Sequence, residues 1–377
     1  MPELTIGSAT TRPGEIVTGW FDAVTLPTGG ADRFPVIIAQ GKEADGPVLW
    51  VTASIHGGEH TGLITVQRLI TPELVAGLHG TLIAIPTLNP AGLRVKERRP
   101  YYLDGDPNRL FPEPARSAQE SADPDEKPPS GLQLAYQRLY EAIVASGASA
   151  LIDLHNAWIG SVPFVFRDPI FFQRGRAGGR KGLPTRAQAQ TLMERVNALL
   201  DAFGFTIVNE FVADSYVRKN LHRSVSGSVL NGAGIPAFTV ELGSWLYVEP
   251  RIVEACLVGL RNVMRRLGML KSAPEPIEGI PVLRPDYPVR RCMHPYAPEA
   301  GIVHMLVQPG EPVSKGQALA RLTDIFGQPV GEDGGTLRSA HDGFVLGWPH
   351  GVVRYRGEPI MVLAIRDEDS LIVPYPA

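Results

Sequence analysis

The chain has 377 residues, which suggests two domains or one large domain with an appendage. Hydrophobic residues make up 44% of it and charged residues 20%, as expected of a globular protein with a sizeable core. The formal net charge of −3 gives no electrostatic indication of binding to nucleic acid or an anionic membrane, and two cysteines exclude a disulfide framework and a cysteine-based zinc site.

Short apolar runs alternate with helix-like segments from about residue 30 to residue 270. The runs are of the length and composition of strands buried on both faces, and they cover residues 34–40, 48–55, 81–88, 149–154, 163–166 and 236–241. Apolar residues recur at helical spacing in residues 60–77, 132–145, 185–203 and 250–270. This alternation predicts an α/β fold with a mixed β-sheet flanked by helices.

The composition changes near residue 272, where a proline-rich linker is followed by short strand-like pieces and turns. We therefore predict an α/β catalytic domain over 1–271, with an N-terminal β extension over 1–30, and a small all-β C-terminal domain over 272–377. The polar, proline-rich segment 113–130 cannot bury much surface, and we predict a mobile surface insertion there.

A group of metal-binding residue types follows two of the predicted strands. His56 and Glu59 follow the run 48–55, and His155 ends another run. Two imidazoles and one carboxylate suit a catalytic zinc ion with an open water position, although each histidine alone is more often an ordinary polar residue at a strand end. The alternative H-x-x-E-H pattern, with His60 as a ligand, needs a helix, and two adjacent glycines oppose one.

A second group carries basic and carboxylate side chains. Asn108 and Arg109 lie between two Pro-containing dipeptides in GDPNRLFP. A stiff loop there would present the planar guanidinium of Arg109, which suits a carboxylate, together with the amide donor of Asn108. Arg98 and Arg99 lie upstream and have the charge to polarise a carbonyl oxygen. Glu241 ends a buried run, where a carboxylate is costly unless it faces a metal, a partner or a cleft.

Taken together, these motifs resemble the succinylglutamate desuccinylase/aspartoacylase family, a branch of the zinc-carboxypeptidase-like fold. The resemblance covers roughly residues 30–265 and rests on HGGE, NPAG, DPNRLFP, IDLH and TVELG in this order. It implies one zinc ion per chain and the following roles: His56, Glu59 and His155 as zinc ligands, Glu241 and Arg99 (or Arg98) as catalytic residues, and Asn108 and Arg109 as the substrate carboxylate clamp.

The expected function is zinc-dependent hydrolysis of the amide bond of a small N-acyl amino acid or a related N-acyl amine. Acyl-aspartate enzymes place an arginine shortly upstream of the catalytic glutamate, and the stretch before Glu241 has none, so the resemblance favours a substrate other than N-acetylaspartate. Two alternatives remain: a zinc carboxypeptidase that acts on peptides, and a non-catalytic binding protein of the same fold.

Asp153 shares a strand face with His155, and it either orients that ring or caps a neighbouring backbone group.

The N-terminus has no basic segment followed by an apolar run, and the sequence has no stretch of about 18 apolar residues. We therefore expect a cytoplasmic protein with a small-molecule partner and neither nucleic-acid nor membrane binding; the sequence leaves a homo-oligomer open.

Overall fold

The computed structural model describes residues 3–113, 128–173 and 182–376. Most of the insertion that we predicted at 113–130 lies outside the described residues. The described strands are, in chain order, β1 Thr5–Ile6, β2 Ala9–Thr10, β3 Ile16–Thr25, β4 Ala31–Gln40, β5 Glu43–Ala53, β6 His79–Ile85, β7 Ala150–Ala157, β8 Phe164–Arg167, β9 Ile170–Phe172, β10 Thr206–Asn209, β11 Ala237–Ser244, β12 Val289–Met293, β13 Gly301–Met305, β14 Pro312–Val313, β15 Ala318–Thr323, β16 Thr336–Arg338, β17 Gly343–Gly347, β18 Val353–Arg354, β19 Val362–Arg366 and β20 Ile372–Pro374.

The α-helices of the described residues lie within the first 270 residues. They are α1 His60–Leu69, α2 Pro72–Gly77, α3 Pro90–Val95, α4 Gly131–Ala145, α5 Arg186–Phe203, α6 Ala213–Arg218, α7 Val225–Ser228 and α8 Pro250–Arg266. Residues 60–77, which have one continuous helical pattern, form two helices because Pro72 starts α2 and the Thr71 side chain caps it by accepting from the Leu74 amide. No helix of the described residues is long and apolar enough to cross a bilayer.

Most strands belong to one twelve-stranded sheet, in the order β14-β17-β19-β12-β10-β8-β11-β7-β5-β6-β4-β3. Its central strands β5, β7 and β11 run parallel, whereas β3 and β4 pair antiparallel at one edge. Strand β7 is buried along its whole length, as its continuous apolar run predicted. The predicted fold class, a mixed sheet flanked by helices with an additional β-rich region, is therefore confirmed.

The C-terminal region is structurally continuous with the sheet. Strand β12 pairs with β10 through Asn209 and Arg290, and β19, β17 and β14 extend the sheet beyond it. A separate antiparallel sheet, β16-β15-β13-β18, completes this region. We retain the division at residue 271 as a proposal about domains, with the sheet running across it.

Candidate active site

Three polar side chains meet where neighbouring strands of the sheet end. His56 lies in the turn after β5, His155 lies near the end of β7, and Glu241 lies in β11 opposite His155 in the pairing register. Because β5, β7 and β11 are adjacent and parallel, their carboxyl ends share one edge of the sheet. The sheet topology therefore brings together residues from three distant parts of the chain.

The turn between β5 and α1 has little room for side chains. A Cβ atom on Gly57 would lie 2.0 Å from the carbonyl carbon of Gly92, so only glycine allows the turn to pass so close to α3. Helix α1 begins at His60, so His56 lies outside it and the i, i+4 geometry of an H-x-x-E-H site does not arise. Nε2 of His60 instead lies 3.1 Å from the Gly57 carbonyl oxygen.

The candidate metal ligands form one compact, buried group. Potential ligand atoms of His56, Glu59 and His155 all lie within 4.8 Å of one another. Oε1 of Glu59 is 2.7 Å from Nδ1 of His56, and Oε2 of Glu59 is 2.8 Å from Nδ1 of His155. Two imidazoles and a carboxylate that converge in this way are a donor set typical of catalytic zinc.

Two buried oxygen atoms at this site accept no hydrogen bond from the described residues. One is Oε2 of Glu59, which lies in ion-pair contact with Nδ1 of His155 at 2.8 Å, and the other is Oε2 of Glu241. A buried carboxylate oxygen without a donor is costly unless it faces a cation or water. The donor set and these two oxygens therefore fit a metal ion.

The outer nitrogen of each histidine faces a second carboxylate. Nε2 of His155 is 2.6 Å from Oδ2 of Asp153, and Nε2 of His56 is 3.0 Å from Oδ1 of Asp106. Asp153 also accepts a hydrogen bond of 2.6 Å from the Thr52 hydroxyl. Such carboxylates fix the tautomer of a ligand histidine and hold its other nitrogen toward the metal position. For Asp153 this contact favours the orienting role over the backbone cap.

The charges in this group shift one another's pKa values. Burial raises the pKa of Glu59, but His56 and His155 outweigh burial and bring that pKa down to about 2. Burial lowers the pKa of His155, but Asp153 and Glu59 outweigh it and raise the pKa well above the usual value. In Glu241 burial dominates and raises the pKa to about 7. A metal ion that binds here therefore competes with protons for the imidazole nitrogens.

Arg98 and Arg99, the two candidates for stabilising an oxyanion, make different contacts. Arg98 lines the cavity, its Nη1 lies 3.9 Å from Oε1 of Glu59, and its Nη2 donates to Oδ2 of Asp106 at 2.8 Å. Arg99 does not line the cavity, and its Nη1 donates to the backbone carbonyl of Asp104. Of the two residues, the structure thus brings Arg98 to the candidate metal group and leaves Arg99 outside.

Asn108 and Arg109 belong to a 3-10 turn, Pro107–Arg109, beside the histidines. Oδ1 of Asn108 accepts from the Val225 amide at 2.9 Å, which leaves its Nδ2, 3.5 Å from Nε2 of His155, to face the site. Nη1 of Arg109 donates to the Asn108 carbonyl at 2.6 Å. Both side chains line the cavity, so the turn presents amide and guanidinium donors to it.

One cavity of about 580 Å³ is lined by the three candidate metal ligands, Glu241, Arg98, Asn108 and Arg109, and the C-terminal region forms part of its wall. Arg291 in β12 and His350, in the loop after β17, both line it. Arg354 holds that loop, because its guanidinium donates to the carbonyls of Pro349, His350 and Gly351 at 2.9–3.0 Å. Sequence reasoning assigned no role to Arg291, His350 or Asp106.

Comparison with known proteins gave a family model, a curated relative and solved structures that resemble this chain. Residues 45–167 match the family model described as the succinylglutamate desuccinylase/aspartoacylase catalytic domain. A curated relative, the N-alpha-acetyl-L-2,4-diaminobutyric acid deacetylase of Halomonas elongata, is 20% identical over 298 residues, which cover 78% of this chain and 75% of the relative.

Solved structures share the fold over nearly the whole chain. A succinylglutamate desuccinylase/aspartoacylase from Rhodobacter sphaeroides superimposes with a TM-score of 0.70 at 20% identity, covering 94% of this chain and 96% of that one. The product-bound ectoine utilization protein EutE (DoeB) from Ruegeria pomeroyi gives a TM-score of 0.70 at 19% identity, covering 93% and 95%. The resemblance drawn from the motifs is therefore confirmed: residues 45–167 match the catalytic domain of the succinylglutamate desuccinylase/aspartoacylase family, and the fold is shared by structures that carry this family's name.

Proposed function

We propose that the protein is a zinc-dependent deacylase that hydrolyses the amide bond of a small N-acyl amino acid or a related N-acyl amine. The observation that carries the proposal is the buried group of His56, Glu59 and His155, which shares one cavity with Glu241 and Arg109. The curated relative in Halomonas elongata, named for the deacetylation of an N-acetylated amino acid, supports the same reaction class.

His56, Glu59 and His155 would hold the zinc ion. A zinc ion bound there would act as a Lewis acid and lower the pKa of water, so that a nucleophile is available at neutral pH. Glu241, whose Oε2 has no donor among the described residues, takes the proton from the attacking water and then delivers it to the departing amine. Glu241 lies opposite His155 in the sheet register, which places it beside the proposed zinc ligands, where the water and the departing amine would lie.

The remaining side chains position the substrate and its developing charge. Arg98, rather than Arg99, faces the carbonyl oxygen of the scissile amide and stabilises the negative charge that forms on it. Asn108 and Arg109 bind the substrate carboxylate and hold the amide in place for attack. All three residues line the same cavity as the candidate base.

A zinc carboxypeptidase would use the same residues on peptides. Arg291 and His350 form part of the cavity wall, and the cavity volume of about 580 Å³ suits a small substrate. The test is a hydrolysis screen of the zinc-loaded protein against N-acetyl and N-succinyl amino acids and against dipeptides, with amine release as the measurement. Cleavage of the dipeptides alone would favour the carboxypeptidase, and cleavage of nothing would favour a binding protein.

We expect about one tightly bound zinc ion per chain, and we expect His155→Ala to lose it while His60→Ala retains it. His155 faces Glu59 within the ligand group, whereas the ring of His60 lies against the Gly57 carbonyl. Metal analysis of the purified variants is the measurement. Loss of metal in His60→Ala with retention in His155→Ala would instead support the H-x-x-E-H arrangement.

We expect Arg109→Lys to lower kcat/KM for an N-acyl amino acid by roughly 10–100-fold, since a charged hydrogen bond contributes about 1.5–3 kcal/mol and lysine lacks the planar fork. The carboxamide analogue of the same substrate should already have a low kcat/KM with the wild-type protein, and Arg109→Lys should lower that value little further. Steady-state kinetics of the wild-type protein and of Arg109→Lys, each with the carboxylate and the carboxamide substrate, measure the coupling between Arg109 and the substrate carboxylate. Equal losses for carboxylate and carboxamide would mean that Arg109 only supports its own loop.

A further inference from the structure

Part of the cavity is lined by aromatic rings that have no assigned role. Trp158, Trp245 and His350 all line it, and we call these three side chains the aromatic wall. The indole of Trp245 and the imidazole of His350 meet edge to face, with their ring centroids 6.2 Å apart. The candidate metal ligands, Glu241 and the arginines are polar or charged, so the aromatic wall gives the cavity a surface of a different chemical kind.

The three segments that carry these rings are joined by hydrogen bonds. The backbones of Ile159 and Trp348 exchange two hydrogen bonds, of 3.0 and 3.2 Å. The Gly160 amide donates to Oγ of Ser244 at 2.9 Å. Each of these four residues lies within two positions of a ring of the aromatic wall, so the wall is built as one unit.

Trp245 packs directly on the turn that carries the candidate ligand Glu59. A Cβ atom on Gly58 would lie 2.2 Å from Cζ2 of Trp245, so a glycine at this position allows the indole to pack on the turn. The Leu246 amide donates to the Gly58 carbonyl at 3.0 Å, which fixes the next residue to the same turn. The aromatic wall therefore begins one residue away from a candidate metal ligand.

The turn that presents Trp245 has an unusual backbone. The Tyr247 amide donates to the Ser244 carbonyl at 3.4 Å, and within this turn Leu246 has a φ of 57°. Glycine and asparagine are the residues usually found with such a φ in a turn, and a bulky side chain is rare there. Strained residues of this kind cluster at ligand-binding and active sites, which agrees with a role for this turn in binding.

His350 lies close to the arginine that we propose for the carbonyl oxygen. Burial lowers the pKa of His350, and the charges of Arg354 and Arg98 lower it further, so the imidazole is mostly neutral at pH 7. The interaction between two charges weakens with distance, so Arg98 is a neighbour of the His350 ring. The aromatic wall thus extends from the turn of Gly58 to the vicinity of Arg98.

The proposed substrate contacts determine which part of the substrate reaches this wall. In the proposed function, Arg98 faces the carbonyl oxygen of the scissile amide, and Arg109 binds the carboxylate of the amino acid. The amide group is planar and trans, so the acyl substituent lies on the side of the carbonyl carbon away from the amino acid. Beside Arg98, the rings of His350 and Trp245 are the surface that this substituent meets.

We propose that the aromatic wall binds the acyl group of the substrate, and that this group is uncharged and longer than acetyl, such as a butyryl group. The proposal rests on the proposed deacylase function. Each methylene group that leaves water to contact the rings strengthens binding by about fourfold. A succinyl group would instead bring a carboxylate against neutral rings, where the loss of its hydration is not compensated.

A series of N-acyl-L-alanines tests this in the wild-type protein, since the methyl side chain of alanine makes few contacts of its own. We expect the zinc-loaded protein to cleave N-butyrylalanine with a kcat/KM about 10-fold above that for N-acetylalanine. N-succinylalanine should have a lower kcat/KM than either. A kcat/KM that does not rise from acetyl to butyryl, or that is highest for succinyl, would overturn the proposal.

Trp245→Ala removes the indole from the aromatic wall. We expect it to lower kcat/KM for N-butyrylalanine by about 10-fold and that for N-acetylalanine much less, with the zinc content retained, and we expect Trp245→Phe to keep most of the preference. The matched control is Trp20→Ala, which removes an exposed indole of β3 from outside the cavity and should change neither value. Equal losses for the two substrates in Trp245→Ala would mean that the indole only supports the turn of Glu59, and would contradict the proposal.

Binding separates this proposal from the proposed function. In Glu241→Gln, calorimetry should show that N-butyrylalanine binds about 10-fold more tightly than N-acetylalanine, and the added change Trp245→Ala should abolish the difference. If the wild-type protein hydrolyses no acylalanine but this difference in binding is found, the deacylase proposal fails and the acyl subsite stands. Hydrolysis without any preference in binding or turnover would refute the acyl subsite and leave the deacylase proposal standing.

Discussion

Glu241→Gln is expected to reduce turnover by about 10²–10⁴-fold while the zinc content and the fold are retained. Glutamine keeps the size of the side chain but cannot accept the proton from the attacking water. Oε2 of Glu241 accepts no hydrogen bond from the described residues, so the substitution breaks no contact of that atom. Steady-state kinetics together with metal analysis and circular dichroism measure these three quantities.

The matched control for this variant is Glu249→Gln. Glu249 precedes α8, outside the residues that line the cavity, and its carboxylate is held by Arg251 at 2.8 Å. We expect this control to have near-normal turnover. Near-normal turnover in Glu241→Gln would mean that another group is the base, and Glu210, which lines the cavity, would be the first residue to test.

Arg98→Gln should lower kcat by about 10²–10³-fold, the effect typical of removing one donor to a developing oxyanion. Its guanidinium lies 3.9 Å from Oε1 of Glu59, beside the candidate metal site where we propose that negative charge forms on the substrate. Arg99→Gln is the matched control, because it removes the same group from the next residue, whose guanidinium instead contacts the Asp104 carbonyl. We expect the control to keep most of its activity.

Zinc content must be measured alongside these rates. Arg98 also donates to Asp106, which contacts His56, so a loss of activity through weakened metal binding would appear as a lowered zinc content. A loss of kcat with full zinc content would support the oxyanion role. A larger effect from Arg99→Gln than from Arg98→Gln would return the role to Arg99.

The fold and the convergence of the candidate metal ligands could be predicted because their signals are local. The apolar run of β7 and the run before His56 each mark a buried strand, and in an open sheet a polar residue that follows such a strand lies at the edge where sites form. The two glycines after His56 excluded a helix there, and this correctly separated His56 from the start of α1.

The choice between Arg98 and Arg99 could not be made from the sequence. Both residues lie in an irregular segment between α3 and the turn Pro107–Arg109. This segment has neither helical nor strand periodicity, so the sequence does not indicate which side chain faces inward. Asp106 was missed for a related reason, since its contact with His56 joins residues 50 positions apart and depends on the path of that segment. Only tertiary structure fixes such directions.

The walls of the cavity depend on pairing between distant strands. Arg291 reaches the site because β12 pairs with β10, and His350 reaches it on the loop that Arg354 holds. No motif in the C-terminal region indicates this contact, and a linker-like composition before it predicted a separate unit. Sequence patterns describe which element forms, whereas the packing of one element on another depends on residues far apart in the chain.

The shared sheet also gives the site an order of assembly during protein synthesis. The three candidate metal ligands lie within the first 155 residues, and Glu241 follows them, while Arg291 and His350 leave the ribosome much later. Because domains generally fold as units, the N-terminal ones first, the α/β region with the candidate metal ligands can fold while one side of the cavity is still open to solvent. If the proposed deacylase function holds, we expect the ability to select among substrates to be acquired last, when β12 joins the sheet and the loop of His350 closes the wall of the cavity.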